Sequence, residues 1–124
     1  MKRSVRMTNA QWEVMAVVWR RAPVAASAVV QELIQSKRWS LATVRTLLRR
    51  LVNKGAVAQK LEGNRYIYTP LVSIEACVHE ESNSLWDRVL GRAPSPAILN
   101  LVKRADLSKD DIQELRRILR EKEK

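Results

Sequence analysis

Residues Trp39 to Gly55 read WSLATVRTLLRRLVNKG. Val44, Leu47, Leu48 and Leu51 stand at i, i+3, i+4 and i+7, the spacing of one apolar stripe on an α-helix. The opposite face carries Ala42, Thr46, Arg49 and Asn53, flanked by Thr43, Arg45 and Arg50. No acidic residue occurs between Trp39 and Leu61. A helix that buries one side and presents small polar groups and arginines on the other fits a DNA major groove. The same pattern also describes an ordinary amphipathic surface helix with solvated charges.

Charge distribution separates these readings. Residues 1–70 hold 13 Lys+Arg against 3 Asp+Glu, and residues 71–124 hold 10 against 10. The whole formal charge of +10 therefore belongs to the first part. A basic part beside a neutral part suggests a division of labour, with the basic part meeting a polyanion. Clustered cations bind phosphates by releasing condensed counterions. An anionic membrane surface would favour one long basic helix with an insertable apolar face. Here the apolar stripes sit on several short helices, which can bury each other.

The flanking sequence completes a small domain. Thr8-Asn9-Ala10-Gln11 reads as a capping box. A first helix over about 9–21 follows, with Trp12, Met15, Ala16 and Trp19 as its expected inner stripe. Val29, Val30, Leu33 and Ile34 mark a second helix over roughly 26–36. Ala25 stands where a capping hydroxyl would be expected, so its first turn should fray. Ser40 is a good N-cap for the third helix, 41–53, and Gly55 a good C-terminal stop. After it the period changes to two. Val57, Gln59 and Leu61 alternate, Glu62-Gly63-Asn64 has turn chemistry, and Arg65 to Thr69 alternate again before Pro70. Three helices and a β-hairpin form a winged helix-turn-helix arrangement over residues 1–72, with the hairpin as the wing. The expected fold class is mainly α.

Residues 73–124 return to helical patterning. Helices are expected over about 74–90 (Ile74, Cys77, Val78, Leu85, Val89), at Ile98 to Val102, and after Ser108 (Ile112, Leu115, Ile118, Leu119). About 50 residues in narrow stripes cannot bury their apolar faces alone. A second copy of the chain is the natural partner, and 73–124 is read as a helical dimerisation region.

Several chemistries find no support. His79 is the sole histidine, which leaves no base for a Ser–His or Cys–His pair. Three glycines, none close together, make no phosphate loop. Cys77 is the sole cysteine, and its i, i+2 relation to His79 does not put the two on one helix face. No enzyme, metal site or cofactor is expected. Trp12, Trp19 and Trp39 are candidate stacking platforms for single strands by type alone, but the first two lie on an apolar face and read as core. Tyr66 and Tyr68 share one face of the wing strand and read as partly packed. The start MKRSVRMTN has no apolar h-region, and no run approaches a membrane span, so a cytoplasmic location is expected.

The stretches NAQWEVMAVVW, KRWSLATVRTLLRRLVNKG and NRYIYTPLVS resemble the penicillinase and methicillin-resistance repressors and their copper-responsive CopY relatives. The resemblance runs from about Thr8 to Leu119. It implies a homodimeric bacterial transcriptional repressor, with an N-terminal winged helix and a C-terminal pairing region, on a palindromic double-stranded DNA operator. The family's recognition helix maps onto Ser40 through Lys54. Its DNA-facing positions match Ser40, Ala42, Thr43, Arg45, Thr46 and Arg50, with Arg49 and Lys54 as further cations of the same helix and Arg65 as the wing arginine. Ala42 departs from the pattern, since lysine can stand there, and one contact is expected to be missing. The C-terminal cysteine-rich motif of copper-responsive members is absent, and one thiol per chain is too few for Cu(I). Asn100-Leu101 aligns with the Asn-Phe bond at which the antibiotic-resistance repressors are cut through a β-lactam-activated membrane sensor-protease, with leucine in place of phenylalanine. Asn100 also reads as an ordinary solvent-facing helix residue. Two alternatives stand beside this reading: a repressor of the same family answering to a small ligand or to oxidation at Cys77, and a winged helix whose basic face meets an acidic protein.

Overall fold

The computed structural model describes residues 6–124; the basic start at residues 1–5 lies outside the described residues, and so does that part of the reading of the N-terminus. The element order is α1 (Asn9–Arg21), β1 (Val24–Ala25), α2 (Ala26–Leu33), α3 (Leu41–Asn53), β2 (Val57–Glu62), β3 (Arg65–Pro70), α4 (Ile74–Leu85), a π-turn (Trp86–Leu90), α5 (Pro94–Arg104) and α6 (Lys109–Glu123). The chain divides into two compact units, one ending at Ser84 and the other running from Leu85 to Lys124.

In the first unit, α1, α2 and α3 pack around one core and the sheet closes it. Thr8 caps α1 through the expected box: its Oγ1 accepts from the Gln11 amide, and Gln11 Oε1 accepts from the Thr8 amide. The inner face of α1 differs from the expected stripe. Val14, Met15, Val17 and Val18 are buried, whereas Ala16 is exposed. Trp12 and Trp19 are half-buried at the margin, with ring centroids 5.8 Å apart, and Trp19 Nε1 donates to the Val72 carbonyl. The valines fill the narrow interior, and the indoles, too large for it, seal its edge.

α2 is shorter than expected and ends at Leu33, with turns over the residues that follow. Its start is not carried by a side-chain cap. Instead Ala25 belongs to β1, a two-residue strand with no sequence signal, which pairs antiparallel with β3 (Val24 with Tyr68, Ala25 with Ile67). Sheet order is β1-β3-β2, and β2 and β3 form the hairpin with Val57 opposite Pro70 and Glu62 opposite Arg65. Gly63 in the turn has φ +65°, a conformation that residues with a Cβ resist.

α3 buries Val44, Leu47, Leu48 and Leu51, the stripe expected of it. Its end is a Schellman closure. Gly55 lies at φ +80°, its amide bonds to the Val52 carbonyl, and the Ala56 amide bonds to that of Leu51. α4 contributes one buried residue to this unit, Cys77.

In the second unit the π-turn, α5 and α6 bury no residue. Ser108 and Asp111 form a reciprocal capping box at α6. Between α5 and α6 lies an open apolar hollow of about 510 Å³ lined by Leu101, Val102, Leu107, Leu115 and Ile118 among others.

Candidate nucleic-acid interface

α3 is fixed by its two ends and its buried stripe, so its outer face is presented rigidly. Ser40 Oγ accepts from the Thr43 amide at 3.1 Å and lies 3.1 Å from Thr43 Oγ1. The first turn of α3 contains no acidic residue, so nothing offsets the positive end of the helix dipole.

The exposed residues sort into two grooves. A cleft of about 600 Å³ lies between α3, the start of α2 and the wing. It brings Arg45 and Arg49 of α3 together with Arg65, Asn64, Gln59 and Tyr66 of the hairpin and Ser27 of α2. A shallower groove of about 280 Å³ on the helix is lined by Ala42, Thr43, Thr46, Leu47 and Arg50. Thr46 is half-buried; the other named polar positions are exposed. Ser27, Gln59 and Asn64 were not foreseen as lining residues. The strand register carries a signal for Gln59, because it sits directly opposite Tyr68.

Tyr68 is buried and Tyr66 is 47% exposed, so the two wing tyrosines differ in role. Burial pushes the Tyr68 hydroxyl above its ordinary pKa, and the positive charge of Arg45 draws it partly back. Tyr68 thus forms a packed floor of the cleft, and Tyr66 stands free on its rim.

Three other cations of this unit are engaged. Arg20 and Arg21 pair with Glu32, and Lys37 pairs with Glu13 while lying 6.0 Å from the centre of the Trp39 ring. Among the described residues, no acidic side chain pairs with Arg38, Arg45, Arg49, Arg50, Lys60 or Arg65. The unmatched charge is therefore concentrated on the α3 and wing face. Arg38 itself precedes the helix cap at φ +51°.

Two foreseen residues are placed differently from the rest. The Ser40 hydroxyl is engaged by the cap. The Lys54 ammonium is turned inward: Nζ donates to the Arg6 carbonyl at 2.6 Å and to Gln11 Oε1 at 2.8 Å. Burial lowers the Lys54 pKa, and proximity of the Cys77 thiol opposes that shift. The Cys77 thiol is pushed up by burial and drawn down by Lys54. In the second unit, Asn100 and Leu101 lie exposed within α5.

The matching family model is that of the penicillinase repressor, over residues 7–121. The chain belongs to the penicillinase repressor family. Similar relatives include the methicillin resistance regulatory protein MecI of Staphylococcus aureus strain N315, 32% identical over 120 residues that cover 97% of this chain and 98% of that protein. The penicillinase repressor of Bacillus licheniformis is 32% identical over 121 residues, 98% of this chain and 94% of its own. Among solved structures, the DNA-binding domain of the repressor BlaI matches with a TM-score of 0.54 at 35% identity, over 60% of this chain and 90% of that one. Monomeric Bacillus licheniformis BlaI in complex with the blaP half-operator matches at 0.50 and 32% identity, over 60% and 92%. These relatives are repressors, not enzymes, and the winged helix is the fold this penicillinase repressor family member shares with them. Among the described residues, no helix is long and apolar enough to cross a membrane, and no cluster of His, Cys, Asp and Glu has the arrangement of a metal site.

Proposed function

We propose that this chain is a cytoplasmic transcriptional repressor that binds a palindromic duplex operator as a homodimer. The observation that carries this reading is the acid-free face of α3, whose Arg45 and Arg49 converge with Arg65 of the wing on one cleft. α3 enters the major groove. Arg45 and Arg49 reach phosphates or base edges, Thr43, Thr46 and Arg50 read from the shallower groove, and Ala42 contributes surface without charge. Arg65 holds the backbone from the wing. Phosphate contacts fix placement, and base contacts select sequence.

Residues 1–72 form the reading part and residues 73–124 the pairing part. The apolar side chains left open on α4, the π-turn, α5 and α6 support a second copy as their cover. Two α3 helices held about one duplex turn apart then match an inverted repeat. A monomeric BlaI bound to a half-operator is in keeping with a reading head that functions one half-site at a time.

Derepression follows from breaking the pairing part. Cleavage at Asn100–Leu101 by a membrane sensor-protease would divide α5, after local unwinding, since a protease takes its substrate extended. Oxidation at Cys77 is the weaker signal because the thiol is 1% exposed. The test is selection of duplexes from random DNA by the purified chain. An enriched inverted repeat is expected, with log K falling against log salt at a slope near −7 if a dimer neutralises on the order of eight phosphates. No enrichment, or a slope near zero, would refute the reading.

A further inference from the structure

We infer that Lys54 is a positioning residue of the recognition helix and not a phosphate contact; the inference rests on the repressor reading above. Lys54 is the C-terminal cap residue of α3, and its sequence context, one cation in a basic helix, suggests a hand held out to DNA. Its geometry is the reverse. The ammonium is held by two oxygens, the Arg6 carbonyl and Gln11 Oε1.

Gln11 is the one polar residue among the buried residues described, at 5% exposure. Its Oε1 accepts twice: from the Thr8 amide at 3.0 Å, closing the α1 capping box, and from Lys54. One oxygen therefore joins the start of α1 to the end of α3, while Arg6 ties the preceding segment to the same ammonium. A buried amide that serves two donors from separate elements fixes their relative placement, because losing the amide leaves both donors without this acceptor and losing one donor leaves the oxygen with a single bond. The other end of α3 is held by Ser40. Lys54 thus sets the angle at which the outer face of α3 meets the duplex, acting through Gln11 and Arg6 with its charge directed inward.

A phosphate contact and a positioning contact differ in three readouts: salt slope, preference for sequence, and coupling to Gln11. The experiment compares the wild-type chain with Lys54→Met, Gln11→Met and the double variant. The probes are the inverted-repeat duplex selected by the wild type and a scrambled duplex of equal length. A positioning role is expected to cost each single variant about tenfold on the selected duplex, little on the scrambled one, with the salt slope kept and the double variant no worse than either single. The inference is overturned if Lys54→Met weakens both duplexes alike and flattens the slope by about 2 per dimer while Gln11→Met binds normally. It is overturned equally if both single variants bind as wild type does. Should the methionine variants fail to fold, Lys54→Arg decides. A guanidinium keeps the charge but not the two-oxygen seat, so loss of sequence preference at constant slope is expected, whereas a phosphate contact would survive or tighten. A wild-type chain that prefers no duplex would overturn the repressor reading and this inference together. A wild-type preference with a flattened Lys54→Met slope would overturn this inference alone.

Discussion

The two units of the chain solve the burial problem differently. In the first, seventeen apolar residues are buried among the described residues, including Val14, Met15, Val18, Leu48 and Leu51, and α1, α2 and α3 turn their apolar sides inward. In the second, helices with equally regular stripes bury nothing, and Leu99, Leu101, Trp86 and Leu119 stand between 47% and 60% exposed. Capping is as good in the tail as in the head, since Ser108 closes α6 as Thr8 closes α1. The difference is thus one of tertiary cover and not of local helix quality. A unit with a closed core folds by itself, and a unit of open stripes takes its stability from what covers it.

The sharpest way to break the contrast is to remove the tail. A chain ending at Ser84 is expected to keep a cooperative thermal transition yet to bind the selected inverted repeat 10²- to 10⁴-fold more weakly, because two tethered heads gain from effective concentration. Loss of folding, or undiminished affinity, would erase the distinction between the units.

Substitutions sharpen it next. Leu48→Ala, at a site with no exposure, should cost about 2–5 kcal/mol of the head's stability in denaturant unfolding. Leu99→Asp, at 60% exposure, should leave the head's unfolding unchanged and raise the dimer dissociation constant in sedimentation equilibrium. A smaller effect is expected at the cap: Ser40→Ala removes the acceptor for the Thr43 amide and should cost roughly 1 kcal/mol.

The smallest effect is one of pH. Burial raises the pKa of Tyr68 and of Cys77 above their ordinary values. An acid whose folded pKa is raised adds stability that is fully present below its unfolded pKa and is lost as pH rises toward the folded one. Head stability should therefore fall on the alkaline side, as pH passes through the ordinary thiol and phenol range, and Tyr68→Phe should reduce that loss. Unfolding curves across that range for the two proteins test the sign.

Much of this was legible in the sequence because the periods are clean. The α3 stripe, its serine cap, its glycine stop and the hairpin around Gly63 are read directly, since each position has one chemical solution. The inner face of α1 was not, because the run from Val14 to Trp19 is apolar all round and the indoles draw attention from the valines. β1 was invisible: two residues make no alternation, and only pairing with β3 makes them a strand. For the interface, the arginines were legible by type and helical position. The inward turn of Lys54 was not, because its partners lie 43 and 48 residues away in sequence.

The proposed arrangement is a cationic reading head doubled by a tail of open apolar stripes to grasp a symmetric duplex. Sedimentation equilibrium of the full chain, alone and with the selected inverted repeat, measures this most directly. A dimer in the micromolar range and two chains per duplex are expected, with a dimer-breaking Leu99→Asp chain binding as separate, weaker single copies. A monomer that saturates the inverted repeat tightly at one chain per duplex would contradict it.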